Sequence, residues 1–196
     1  WELRNSAHRS LLDVADCEFH PAIQFIAPSC TVWGQSGNQG DPLACSAERE
    51  LDRPMLSWDH ERRVLAASEN RVHVLEQPLP SDIFRATAVA RYDEIPEMVA
   101  KQRCDQCRHG AVNEVHEPIM KPTRFDANCP LPRAAFRCAT GLRFGMKHSA
   151  LAGRAVGQPA SRACMAAVYP RKMCRSLVLD FKEVLLRMDH PAIGPD

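Results

Sequence analysis

One segment constrains the fold more than any other. Leu177, Val178, Phe181, Val184, Leu185 and Met188 recur at helical spacing, while Asp180, Lys182, Glu183 and Arg187 take the other face. An amphipathic helix of this length is marginal by itself in water, so its apolar stripe must be covered by a second layer of structure. Ser176 suits an N-cap and Pro191 lies just beyond the end, which places the helix over about 176–190. The stripe predicts a core-packing face; docking on a partner is the alternative.

The remaining chain must supply that second layer. Its 196 residues are 45% hydrophobic and 25% charged, which is ordinary for a globular chain and far from the composition of disorder. The length predicts a single domain over 1–196. Ser10 to Asp13 opens a short helix with Leu12, Ala15 and Phe19 on one face, ended by Pro21. Ser81-Asp82 opens another, with Ile83, Phe84, Thr87 and Ala88 inward, and Ile95, Met98 and Val99 suggest a turn-rich segment around Pro96. Residues 146–156 and 161–169 are alanine-rich, with helix propensity but little bulk. Glycine, proline and polar residues predict a loop-rich segment at 28–54, and clustered prolines predict another at 117–133.

Between these, Arg63 to Ala67 and the alternating Val72-His73-Val74-Leu75 flank Ser68-Glu69-Asn70, which predicts a small hairpin near 63–76. The words SWDHERRVLAASENRVHVLE resemble the inner strands of a WD-type β-propeller repeat, over about 20 residues and in one copy. The fold class expected from all of this is α+β and helix-rich, with that hairpin and the C-terminal amphipathic helix. The alternative is an artificial or rearranged order of residues that specifies no unique fold.

Charge excludes more than it indicates. With 25 basic and 24 acidic residues the net charge is +1, so no overall field draws the chain to nucleic acid or an anionic membrane. The basic clusters at 62–63, 103–108 and 171–175 are short and carry no interleaved aromatics. No stretch approaches the roughly 20 apolar residues of a membrane span. Trp1-Glu2-Leu3-Arg4 does not have the order of a signal peptide. Nine cysteines are an odd set, and no Asn-x-Ser/Thr acceptor occurs, which leans toward a reducing, cytoplasmic compartment.

Chemistry concentrates at Cys104-Asp105-Gln106-Cys107, where two thiolates can chelate one zinc if the turn between them brings both sulfurs to about 2.3 Å from the ion. About 0.4 such pairs arise by chance in a chain of this cysteine content. A structural site needs two further ligands, and His109, His116, Cys129 and Cys138 are the nearby candidates; Cys104, Cys107, His109 and His116 form the expected metal set. The pair followed by Val115-His116, Pro118 and Asn128-Cys129 resembles the HNH nucleases. That resemblance implies His116 as general base and Asn128 as the residue that orients its loop. Val115 stands where that family often has an acidic ligand, and the second cysteine pair is absent. A thioredoxin-like reading lacks the required strand and helix context, and Gly34 to Asn38 misses the nucleophile-elbow spacing by one position. The functions in view are therefore a non-enzymatic binding or interaction protein, or a zinc-binding protein, structural or HNH-like, with zinc as its cofactor.

Overall fold

The computed structural model describes residues 2–34, 41–90, 99–113, 115–138, 148–149 and 168–188. In chain order the elements are α1 (Ser6–Phe19), β1 (Ile23–Ile26), α2 (Pro42–Ser68), β2 (Val72–Pro78), a 3-10 turn (Asp82–Arg85), α3 (Thr87–Ala90), β3 (Val99–Asp105), a second 3-10 turn (Gln106–His109), β4 (Pro122–Ala127) and α4 (Arg171–Arg187). The four strands form one mixed sheet in the order β1-β2-β4-β3, with β1 and β2 parallel and the other pairs antiparallel. This is an α+β fold. No helix among the described residues is long and apolar enough to cross a membrane.

β2 is paired on both edges, and Val72 to Gln77 are all buried. Val72 and Val74 join the cluster under α4, with Cys104, Phe125, Leu131, Met173, Leu177 and Leu185. Leu75 packs with Trp33, Met55, Leu56 and Ile83 in a second cluster, to which α2 contributes. Each buried Val, Leu or Phe contributes about 1.5–3 kcal/mol, so α2 and α4 are held by opposite faces of the same strand.

The C-terminal helix forms as its stripe requires, but it begins at Arg171, about one and a half turns earlier than Ser176. Two of its residues exchange faces. Asp180 is only 1% exposed, and Val178 is 63% exposed. Positions 173, 177, 180, 184 and 185 make the buried line, and the aspartate belongs to it because it binds the loop that follows β4.

The hairpin near 63–76 does not form. Residues 63–68 are the last turns of α2, and Ser68-Glu69-Asn70 is its C-terminal cap. Asn70 takes a left-handed φ of 55° and the Arg71 N–H donates to the Ala66 carbonyl at 2.7 Å, which is the 6→1 bond of a Schellman motif. Residues 72–78 then pair with β1 and β4 and not with their own upstream neighbours. The same correction removes the WD-type repeat.

Both loop-rich segments also contain regular structure. Asp41 caps α2 by accepting from Leu43 N at 2.9 Å, Pro42 opens it, and Pro54 lies inside it. Residues 122–127 are β4, whose Pro122 stands at the strand's first position, where a missing N–H is tolerated. The first helix starts at Ser6, capped by Asn5, and ends at a left-handed His20; Phe19 is exposed. Ser81 does cap the turn at 82–85, its hydroxyl accepting from Ile83 N. The expected segment around Pro96 and most of both alanine-rich stretches lie outside the described residues.

Candidate metal centre

The site is built where β3 runs out. A bulge at Lys101, φ 64°, shifts the β3–β4 register between Val99 and Gln102, after which Cys104 pairs with Thr123 and Asp105 with Pro122. The chain then tightens into the 3-10 turn 106–109, closed by Gly110 at φ 86°, a conformation that favours glycine. Cys107 sits on this turn, half-buried.

The loop after β4 is folded back over that turn by polar side chains. Gln102 accepts from Leu131 N at 2.6 Å and donates to the Cys129 carbonyl at 2.9 Å. Asp180 of α4 accepts from Arg133 N and Ala134 N, the latter at 2.8 Å. His109 Nε2 lies 3.1 Å from the Ala134 carbonyl. Asp105, fully buried, accepts from Cys138 N at 2.7 Å with one oxygen and from Arg103 Nε at 2.9 Å with the other, while its own N–H donates to the Phe136 carbonyl. Cys138 is thereby fixed beside Cys107.

The third member, His148, lies ten residues beyond Cys138. Ser149 N donates to the Pro118 carbonyl at 2.9 Å in a parallel bridge with Ile119, and His148 precedes it. His148 Nε2 lies 3.6 Å from Cys138 Sγ, and the two sulfurs and this nitrogen all fall within 4.8 Å of one another. Donors around one tetrahedral zinc stand about 3.5–3.8 Å apart, given bonds of about 2.3 Å to sulfur and 2.0–2.1 Å to nitrogen. The cluster closes on that geometry with side-chain movements of about an ångström. Burial, and then the neighbouring Cys138, pushes the Cys107 thiol up to about 12, so a metal must displace its proton to bind.

Of the expected set, Cys107 is in this cluster and the other three residues are elsewhere. Cys104 Sγ is in the core, 3.8 Å from Met173 Sδ, with its thiol pushed up to about 12 by burial. The sheet fixes Cys104 as a strand residue, so the CxxC pair is divided between a strand and the turn after it. His109 holds the Ala134 carbonyl, and His116 is exposed at φ 61°. Asn128 holds the backbone of β2, accepting from His73 N at 2.8 Å and donating to the Arg71 carbonyl at 2.6 Å. Cys129 is buried. Cys138 is a nearby ligand in the sequence; His148 is not among the candidates, and no spacing rule points to it.

A separate buried group lies on β2. Glu76, 5% exposed, accepts from the Tyr169 hydroxyl at 2.6 Å. Burial raises its carboxyl pKa, opposed by Tyr169 and Lys121. A folded-state pKa above the unfolded one means stability that is complete below the usual glutamate value near 4.3 and is lost as pH rises through the folded value. Glu76→Gln keeps an acceptor for Tyr169 and removes that loss. The variant should have a higher Tm than the parent at pH 7 and nearly the same Tm at pH 4; equal shifts at both pH values would refute the buried-charge explanation.

No protein-family model, curated protein or solved structure matches this chain.

Proposed function

We propose that the chain is a zinc-binding protein in which Cys107, Cys138 and His148 hold one ion that ties together the turn after β3, the loop after β4 and the segment beside Ile119. The single observation that carries this reading is the convergence of two sulfurs and an imidazole nitrogen within 4.8 Å from three separate segments. Thiolate and imidazole are the donor set zinc prefers in structural sites, where a fourth protein donor completes the tetrahedron. The hydrogen bond from Cys138 N to Asp105 supports it, because it fixes the backbone of a ligand residue, while His109 and Asp180 hold the same loop upstream at Arg133 and Ala134. Zinc here acts as a cross-link, consistent with a binding or interaction role. No observation favours the nuclease version, in which His116 is the base.

The test is purification without added metal, followed by elemental analysis and zinc titration against a chromophoric chelator. The expected result is about one zinc per chain, with proton release on binding and affinity that falls as pH is lowered. Cys107→Ser, Cys138→Ser and His148→Ala should each abolish tight binding, whereas Cys104→Ser should leave it intact. A chain that takes up no zinc and whose Cys107 and Cys138 react freely with an alkylating agent overturns the proposal.

A further inference from the structure

We infer that the same site is a redox-releasable one, in which hydrogen peroxide joins Cys107 to Cys138 as a disulfide and expels the zinc. The inference rests on the zinc reading. Its basis is the placement of the two sulfurs, which lie within 4.8 Å of each other, in hydrogen-bond contact, and neither is in a disulfide. Both residues are partly exposed, whereas Cys104 and Cys129 are buried and shielded from a solute oxidant. Sulfurs sharing one zinc stand about 3.8 Å apart and those of a disulfide about 2.0 Å, so the two states differ by a closure of about 2 Å. Both residues sit where such a movement is cheap: Cys107 on a single 3-10 turn and Cys138 in a loop, neither in the sheet.

The chemistry balances with one peroxide. One zinc-bound thiolate attacks a peroxide oxygen, the O–O bond breaks, hydroxide departs, and that sulfur becomes a sulfenic acid. The second thiolate then attacks this sulfur, the S–S bond forms, the S–O bond breaks, and a second hydroxide leaves. Two electrons pass from the sulfurs to the peroxide. The disulfide no longer offers thiolate donors, so of the three ligands only His148 remains and Zn2+ dissociates.

The experiment uses the full chain loaded with zinc and treated with hydrogen peroxide, zinc release being followed with a chromophoric chelator and thiols mapped by alkylation and mass spectrometry. Expected is about one zinc released per Cys107–Cys138 cross-link, both reversed by dithiothreitol and added zinc. His148→Ala, which keeps both sulfurs but loses the zinc that deprotonates them, should form the cross-link more slowly than the zinc-loaded parent. A chain that binds no zinc before peroxide is added overturns the zinc reading, and this inference with it. A zinc-loaded chain that loses its metal without the cross-link, through sulfinic acid on one cysteine, or that is oxidised only at Cys17 or Cys30 while keeping its zinc, overturns this inference alone.

Discussion

Asp16→Asn is expected to destabilise the chain by about 3–5 kcal/mol at pH 7, the scale seen when one partner of a buried ion pair is removed. Asp16 lies on α1 and is buried. Its two oxygens accept from Arg71 Nη1 at 2.5 Å and Nη2 at 3.0 Å, from Arg62 Nη1 at 2.8 Å, and from the Gln24 side-chain amide. One carboxylate thus joins α1 to β1, to α2 and to the residue that opens β2. It also forms the polar end of a cavity of about 470 Å3 whose apolar walls include Leu12, Phe25 and Trp58. The Arg71 side chain is 4% exposed, so the asparagine variant leaves its guanidinium charge buried with Glu69, 2.5 Å away and 40% exposed, as the remaining counter-ion. That residual pairing favours the lower end of the range.

The pH dependence has a definite sign. Arg71 first, opposed by burial, holds the Asp16 carboxyl below its usual value. A depressed pKa contributes stability that is present above the unfolded value near 3.9 and is lost as pH falls through the folded value. The parent should therefore lose stability in acid along a limb that Asp16→Asn lacks. Urea unfolding at pH 7 and pH 3 checks both parts, and a loss below about 1 kcal/mol at pH 7 would show the pair to be no more than a surface bridge. Combining Asp16→Asn with Arg71→Met should recover much of the loss, because an apolar group of similar length removes the stranded charge.

Buried polar groups like this one mark the limit of what the sequence discloses. The C-terminal helix is legible because Leu177, Val184 and Leu185 keep helical spacing, yet Asp180 reads as solvent-facing until the loop amides it binds are known. α2 is hidden for the same reason. Its buried line is Asp52, Met55, Leu56, Asp59, Arg63 and Ala66, a helical period in which three of the six residues are charged. Their partners, Trp33 Nε1 for Asp52 at 2.6 Å and His73 Nε2 for Asp59 at 3.2 Å, come from other elements. Without those partners an apolar period cannot be read, and Val72 to Leu75 looks like half of a hairpin when it is the doubly covered centre of a sheet. The candidate site divides similarly. Cys107 is visible through its CxxC, but its companions are chosen by the β3–β4 pairing and the loop that folds back from it, and that selection leaves no local spacing to find.

Asp105→Ala is expected to weaken zinc binding by about 10–100-fold, the effect typical of losing an outer partner of a metal site. The Asp105 carboxylate accepts from the Cys138 amide and from Arg103. Its contribution is to hold Cys138 N at 2.7 Å, with Arg103 Nη2 at 2.9 Å steadying the other oxygen, so that the Cys138 sulfur starts next to Cys107. Deleting the carboxylate leaves the Cys138 amide without its acceptor and lets that end of the loop move, so zinc must order it on binding. Loss of a buried group also lowers stability, and affinity must be separated from folding. Gln102→Ala provides the control, since Gln102 holds the same loop near Cys129 and Leu131, away from the donors. Both variants should lower Tm in the metal-free state, but only Asp105→Ala should raise the zinc Kd measured by chelator competition on folded samples. Equal Kd changes in the two variants would mean that the carboxylate serves the loop's general stability, and an unchanged Kd in Asp105→Ala would mean that Cys138 is placed without it.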